Sequence, residues 1–176
     1  MAPRQIARHY CGAVRIVVLA DTHIPDFARA LPASIVPALR GTDLILHAGD
    51  VTAADVLEEL RAYAPVRAAM GNNDRADVAA WGATEEVRLE LSGIAIAMVH
   101  IGGPREGRER RLRRRFPDAR VILFGHSHIP WNTEAGGVRY FNPGSPTWKR
   151  RQTVPTYGVL DVLNGRVRAR IVELAQ

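Results

Sequence analysis

Two short runs, RIVVLA at 15–20 and LILHA at 44–48, are apolar almost throughout. A strand with one face in water alternates apolar and polar residues, so unbroken runs suit strands covered on both faces, the condition of a parallel sheet. Between the runs, residues 25–37 hold three prolines, which predicts a loop and then a short helix ending at Arg40. After the second run Thr52 is a candidate helix cap with Asp55 three residues on. Val56, Leu57, Leu60 and Tyr63 follow at helical spacing, so the pattern predicts a helix over 53–64, ended by Pro65, and then a strand at 66–70. Strand–helix–strand–helix–strand implies parallel pairing through right-handed crossovers.

The second half reads differently. Alternation over 87–91 and 94–98, on either side of Ser92-Gly93, predicts a hairpin. A helix is expected at 107–115, and strands at 121–124, 138–141, 156–162 and 166–172, the last two joined at Asn164-Gly165. A chain of 176 residues suits one domain. The expectation is an α/β fold of two packed mixed sheets with helices outside, with an N-terminal arm over 1–14 and a single domain over 15–176.

A lone cysteine, Cys11, excludes a disulfide framework and any cysteine-based zinc module. No apolar run approaches the ~20 residues of a membrane span. The arginines at 4, 8 and 15, with a short apolar run that meets Asp21, make a poor signal peptide, so a cytoplasmic protein without membrane contact is expected. Net charge is +6, and residues 105–115 carry seven arginines against two glutamates. That run reads first as a solvated helix face, with recruitment of nucleic acid as the alternative. Arg105 and Arg108 lie near enough to His100 in sequence to reach a site there.

Donor residues cluster just after the predicted strands. Asp21 and His23 follow the first, Gly49-Asp50 the second, and Gly71-Asn72-Asn73-Asp74 the third. His100 ends the strand of 94–99, and His126 and His128 follow 121–124. Ligands of α/β sheets gather at the carboxyl ends of strands. Singly, each motif is a turn or a helix cap. Together they aim carboxylates, imidazoles and an amide at one place, the mixture that a borderline divalent metal takes. In extended chain, residues i and i+2 project to one side, so Asp21 with His23, and His126 with His128, can each approach a site together. Seven donors exceed one tetrahedral ion and suit two ions sharing a carboxylate, which points to phosphoester hydrolysis by a hydroxide held between them.

This ordered set, Asp21-x-His23, Gly49-Asp50, Gly71-Asn72-x-Asp74, His100 and Gly125-His126-Ser127-His128, resembles the calcineurin-like metallophosphoesterase superfamily. The small size and the late Asn142-Pro143-Gly144-Ser145 resemble its small prokaryotic phosphodiesterase branch. The resemblance implies a four-layer αββα sandwich. It implies one ion on Asp21, His23, Asp50 and His128, and a second on Asp50, Asn72, His100 and His126, with Asp50 bridging. Manganese is the first expectation, and nickel, iron, cobalt or zinc fit the same donors. Asp50, Asn72 and Asp74 are the expected catalytic residues; Asp74 either orients Asn72 or a water, or stabilises the turn. Asn73, Arg105 and Ser145 are expected to meet the substrate.

Two positions depart from the pattern. Asn73 stands where many members carry a histidine able to protonate a leaving group, and His100-Ile101-Gly102 stands where His-Gly-His is common. The substrate expected is a small phosphodiester or a nucleotide. A second reading keeps the fold as a catalytically weak scaffold or interaction protein, and a third is a nuclease using the arginine run. His47, inside the second strand, is expected to be structural.

Overall fold

The two apolar runs become neighbouring inner strands of one of two five-stranded sheets in the computed structural model, which describes residues 13–175. Residues 1–12 of the expected arm, with His9 and Cys11, lie outside the described residues. In chain order the first half comprises β1 (Val14–Leu19), α1 (Val36–Arg40), β2 (Leu44–His47), α2 (Asp55–Arg61), β3 (Val66–Ala68) and α3 (Ala76–Trp81). The second comprises β4 (Glu86–Leu91), β5 (Ile94–Val99), α4 (Arg108–Arg115), β6 (Val121–Leu123), β7 (Trp131–Ala135), β8 (Val138–Asn142), β9 (Thr156–Leu163) and β10 (Arg166–Glu173).

One sheet has the order β10-β9-β1-β2-β3 and the other β4-β5-β6-β8-β7. In the first, β1, β2 and β3 are parallel, with Ile16 beside Leu44, while β9 and β10 run antiparallel. In the second, β5, β6 and β8 are parallel and the outer strands β4 and β7 are antiparallel. Both sheets are mixed, as expected.

Side chains of β1 alternate between two apolar layers, which is why the run has no wet face. Ile16 and Val18 point between the sheets, where they join Leu46, Met98, Leu123 and Phe141. Val17 and Leu19 point the other way, with Ile35, Leu39, Leu57 and Leu60 from the α1 and α2 region. The second sheet packs Leu112 and Phe116 of the α4 region on Ala97, Val99 and Ile122. The result is the expected αββα sandwich. Burying each large side chain contributes about 1.5–3 kcal/mol, so these layers outweigh local propensity.

The elements the sequence did not announce are polar or alanine-rich. Only Val78 of α3 is buried, so no apolar stripe marks that helix. The strand β7, sequence WNTEA, has no buried residue. Thr52 is not a cap: its φ is +84°, α2 starts at Asp55, and the Ala54 N–H donates instead to Asp77 Oδ2 at 2.8 Å. The Asn164-Gly165 turn is as predicted, both residues having positive φ.

Candidate metal centre

The carboxyl ends of β1, β2, β3, β5 and β6 meet at one end of the sandwich. There, two groups of donors converge with ligand atoms within 4.8 Å of one another: Asp21, His23 and His128, and Asp50, His100 and His126. Each group draws on both sheets. His126 and His128 therefore separate into different groups, contrary to the extended-chain expectation. Positive φ alone does not decide this: His126 and His128 have +69° and +58°, while Asp21 and His23, which share a group, have +55° and +48°. Asp21, His23 and Asp50 are also left-handed. Such residues cost of order 1–3 kcal/mol each and persist only where the surroundings hold them.

Asp50 stands between the groups. Its Oδ2 is 3.5 Å from His23 Nε2 and 3.3 Å from His100 Nε2. Asn72 joins the second group, with Oδ1 3.1 Å from His100 Nε2. A carbonyl can only accept, which fixes two histidine tautomers. His100 Nδ1–H donates to the Ala48 carbonyl at 2.7 Å, and His128 Nδ1–H donates to the Trp148 carbonyl at 2.6 Å. Each ring then turns its Nε2 inward, that of His100 toward Asp50 and Asn72. His128 Nε2 faces His23 Nε2 at 3.2 Å and Asp21 Oδ1 at 3.5 Å, and Asp21 Oδ2 is buried without a partner. Oxygen and nitrogen donors converge this closely, with one carboxylate oxygen left unpartnered, where a cation would be held. This donor set fits two divalent ions.

The electrostatics divide the donors: burial would lower His100, but its hydrogen bond to Asp50 and the charges of Asp21 and Asp50 prevail and raise it. Burial, with the Asp50 charge adding to it against His100, pushes the Asp21 carboxyl up to about 8. Burial lowers His23 and His126, and takes His128 down to about 4, so these rings favour the neutral form that binds metal. Asp50 resists its own burial: hydrogen bonds and charge from His100, with donors from Asn73, hold it well below the ordinary range.

The other predicted residues take supporting places. Asn73 donates to Asp50 from its backbone N–H and from its side-chain amide, so its amide grips the ligand and not the substrate. Asp74 accepts from the N–H groups of Gly71 at 2.6 Å and Thr52 at 2.7 Å, the turn-stabilising alternative. Ser145, expected to meet substrate, is buried, and its hydroxyl donates to the Asp21 carbonyl at 2.8 Å. Arg105 lies over the Trp131 ring at 5.2 Å and outside both donor groups. His47 is fully buried, pairs with the Thr22 hydroxyl at 3.1 Å, and joins neither group. Sequence reasoning missed the backbone: a Cβ on Gly71 would fall 2.0 Å from the Asp50 nitrogen and 2.2 Å from its Oδ1, so only glycine lets β3's end approach the shared carboxylate.

Most of the arginine run is engaged within the protein. Arg108 donates to the Gly103 carbonyl, Arg111 to those of Pro104 and Glu106, Arg113 to that of Ala119, and Arg115 to Glu86. Among the described residues no helix is long and apolar enough to cross a membrane.

Residues 14–165 match the model of the calcineurin-like phosphoesterase superfamily domain. A probable metallophosphoesterase of Methanothermobacter thermautotrophicus is 37% identical over 161 residues, covering 89% of this chain and 91% of that one. Among solved structures, Vacuolar Protein Sorting 29 from Cryptosporidium parvum superposes with a TM-score of 0.76 at 20% identity, over 94% of this chain and 100% of that one. A novel archaeal phosphodiesterase superposes with a TM-score of 0.70 at 22% identity, over 90% and 100% of the two chains. At those identities the two structures speak to the fold alone.

Proposed function

The chain belongs to the calcineurin-like phosphoesterase superfamily, and from that premise we propose that it is a phosphodiesterase working with two divalent ions. One observation carries the reading: a single carboxylate oxygen, Asp50 Oδ2, lies within 3.5 Å of an imidazole nitrogen from each donor group. Asp21, His23 and His128 would hold one ion, His100, His126 and Asn72 the other, and Asp50 would join them. Bound there, divalent ions neutralise charge on phosphoryl oxygens and lower the pKa of a water between them. The protein's part is to fix the ligands. Ala48 and Trp148 set the tautomers of His100 and His128, and Asn73 orients Asp50.

A diester is favoured over a monoester because Asn73 supplies no acidic proton for a poor leaving group, and its amide is already bound to Asp50. A small diester or nucleotide is favoured over a nucleic acid because so many guanidinium groups of the α4 region are bonded internally. A scaffold on the same fold would tolerate lost ligands, whereas all seven donor positions here keep a competent side chain. Manganese is the proposed ion, with nickel, iron, cobalt and zinc fitting the same donors.

The test is to strip the protein with chelator and assay bis-p-nitrophenyl phosphate and p-nitrophenyl phosphate with each of these metals. Metal-restored cleavage of the diester, with the monoester much slower, is expected. No cleavage of either under any metal would overturn the reading.

A further inference from the structure

Beside the donor groups lies an aromatic stack that the ligand geometry does not use. Phe27, on the loop after β1, lies flat against Trp148, on the loop after β8, with ring centroids 3.8 Å apart and planes 4° apart. Arg150 sits over the Trp148 ring at 4.6 Å. Phe27 covers one indole face, so the guanidinium covers the other.

This stack borders the centre. Phe27 and Trp148 stand edge-on to His23, at 5.5 and 5.2 Å, and Trp148 stands edge-on to His128 at 5.1 Å. Both ends of the stack are open. Phe27 is 58% exposed. The Arg150 guanidinium, in contrast with most arginines of the α4 region, meets no carboxylate or carbonyl among the described residues, and its backbone is held at a left-handed φ of +50°. Its charge acts on Asp21, His23, His126 and His128, which belong to both donor groups.

We infer that this stack is the substrate-recognition element of the centre: Arg150 binds non-bridging oxygens of the phosphodiester, and the open face of Phe27 stacks on a planar ester group. The preferred substrate class is then a phosphodiester whose non-leaving group is a nucleoside, over one with an alkyl group there. Guanidinium pairs well with phosphoryl oxygen, and an exposed ring stacks on any base without reading its edges. The inference rests on the hydrolase reading for its substrate, but not for its binding.

Two esters with one leaving group separate these roles: thymidine 5′-(p-nitrophenyl) phosphate and methyl p-nitrophenyl phosphate. With Mn²⁺-loaded protein, kcat/KM for the thymidine ester should exceed that for the methyl ester by about 10-fold, from one stacking contact. Phe27→Ala should bring the ratio close to one. Arg150→Gln should lower kcat/KM for both esters by about 10-fold or more, and Arg150→Lys should recover part of it. Manganese content, measured in each variant, should equal that of the unaltered protein. An unchanged ester ratio in Phe27→Ala, or unchanged kcat/KM in Arg150→Gln, would overturn the inference.

Calorimetric titration with thymidine 5′-phosphate and with inorganic phosphate gives a readout without turnover. Arg150→Gln should weaken both, and Phe27→Ala only the nucleotide. If the unaltered protein hydrolyses neither ester, the hydrolase reading fails and the titrations decide the stack alone. Equal affinities in all three proteins, or no binding in any, would overturn it.

Discussion

Asn73 donates to both oxygens of Asp50, from its backbone N–H to Oδ1 at 2.9 Å and from its side-chain amide to Oδ2 at 2.7 Å. A residue standing where a proton donor is common in this family thus acts as a positioning residue for the carboxylate between the two donor groups. Partners that orient a ligand typically contribute 10–100-fold to metal affinity. Asn73→Ala is therefore expected to weaken Mn²⁺ binding by about 10–100-fold, measured by calorimetry. Activity lost at low metal should return in part at high metal, a recovery that loss of a substrate contact would not show.

Removing metal should lower the melting temperature without unfolding the chain. A ligand present at 100 times its dissociation constant stabilises by about 2.7 kcal/mol. A domain of this size shifts roughly 2–4 °C per kcal/mol, so a drop of about 5–10 °C on chelation is expected in a thermal melt. The far-ultraviolet circular dichroism should keep its native shape.

Gly71→Ala should be severe for so small a change. The added methyl would overlap the Asp50 backbone and carboxylate, and neither is the free end of a flexible side chain. Overpacking of this kind costs about 1–3 kcal/mol, and here it displaces the shared ligand as well. Urea denaturation should show a destabilisation of about that size, and metal titration a loss of at least one site.

Far from the centre, Glu86 accepts from Arg115 at 2.5 Å and from Arg88 at 3.0 Å. Burial would raise its carboxyl, but the hydrogen bonds from Arg115 and Arg88 prevail and hold it below its ordinary 4.5. A carboxyl lowered on folding adds stability above its unfolded pKa and loses it as pH falls through the folded one. Glu86→Gln should therefore cost about 0.5 kcal/mol at pH 7, and the gap from the unaltered protein should close as pH falls below ~4. Urea midpoints at the two pH values measure it.

Both the architecture and the donor set were legible because each rested on a strong local signal. The runs around Ile16 and Ile45 had to be covered on two faces, and they are. The donors were conspicuous because they end those runs. What stayed hidden depended on backbone conformation and on contacts distant in sequence. The spacing alone did not distinguish His126 from His128; the family resemblance set them on different ions, and in the fold they fall in different donor groups. Asp77 caps α2 across 23 residues, which no reading of Thr52 alone could reveal. The partners of the arginine run stayed hidden for a similar reason: its charge is plain in the sequence, but the carbonyls that accept its bonds are not.

Several bonds at the metal end run from one sheet to the other and need no ion, among them His100 to the Ala48 carbonyl, the His126 N–H to Asp21, Ser145 to the Asp21 carbonyl and Thr147 to the Thr22 carbonyl. They hold the mouth of the sandwich in shape whether or not chemistry takes place there. A descendant that surrendered one ligand would keep a rigid, prepared surface at the same spot. The frame can therefore outlive its reaction, and a lineage built on it is free to change occupation without first having to refold.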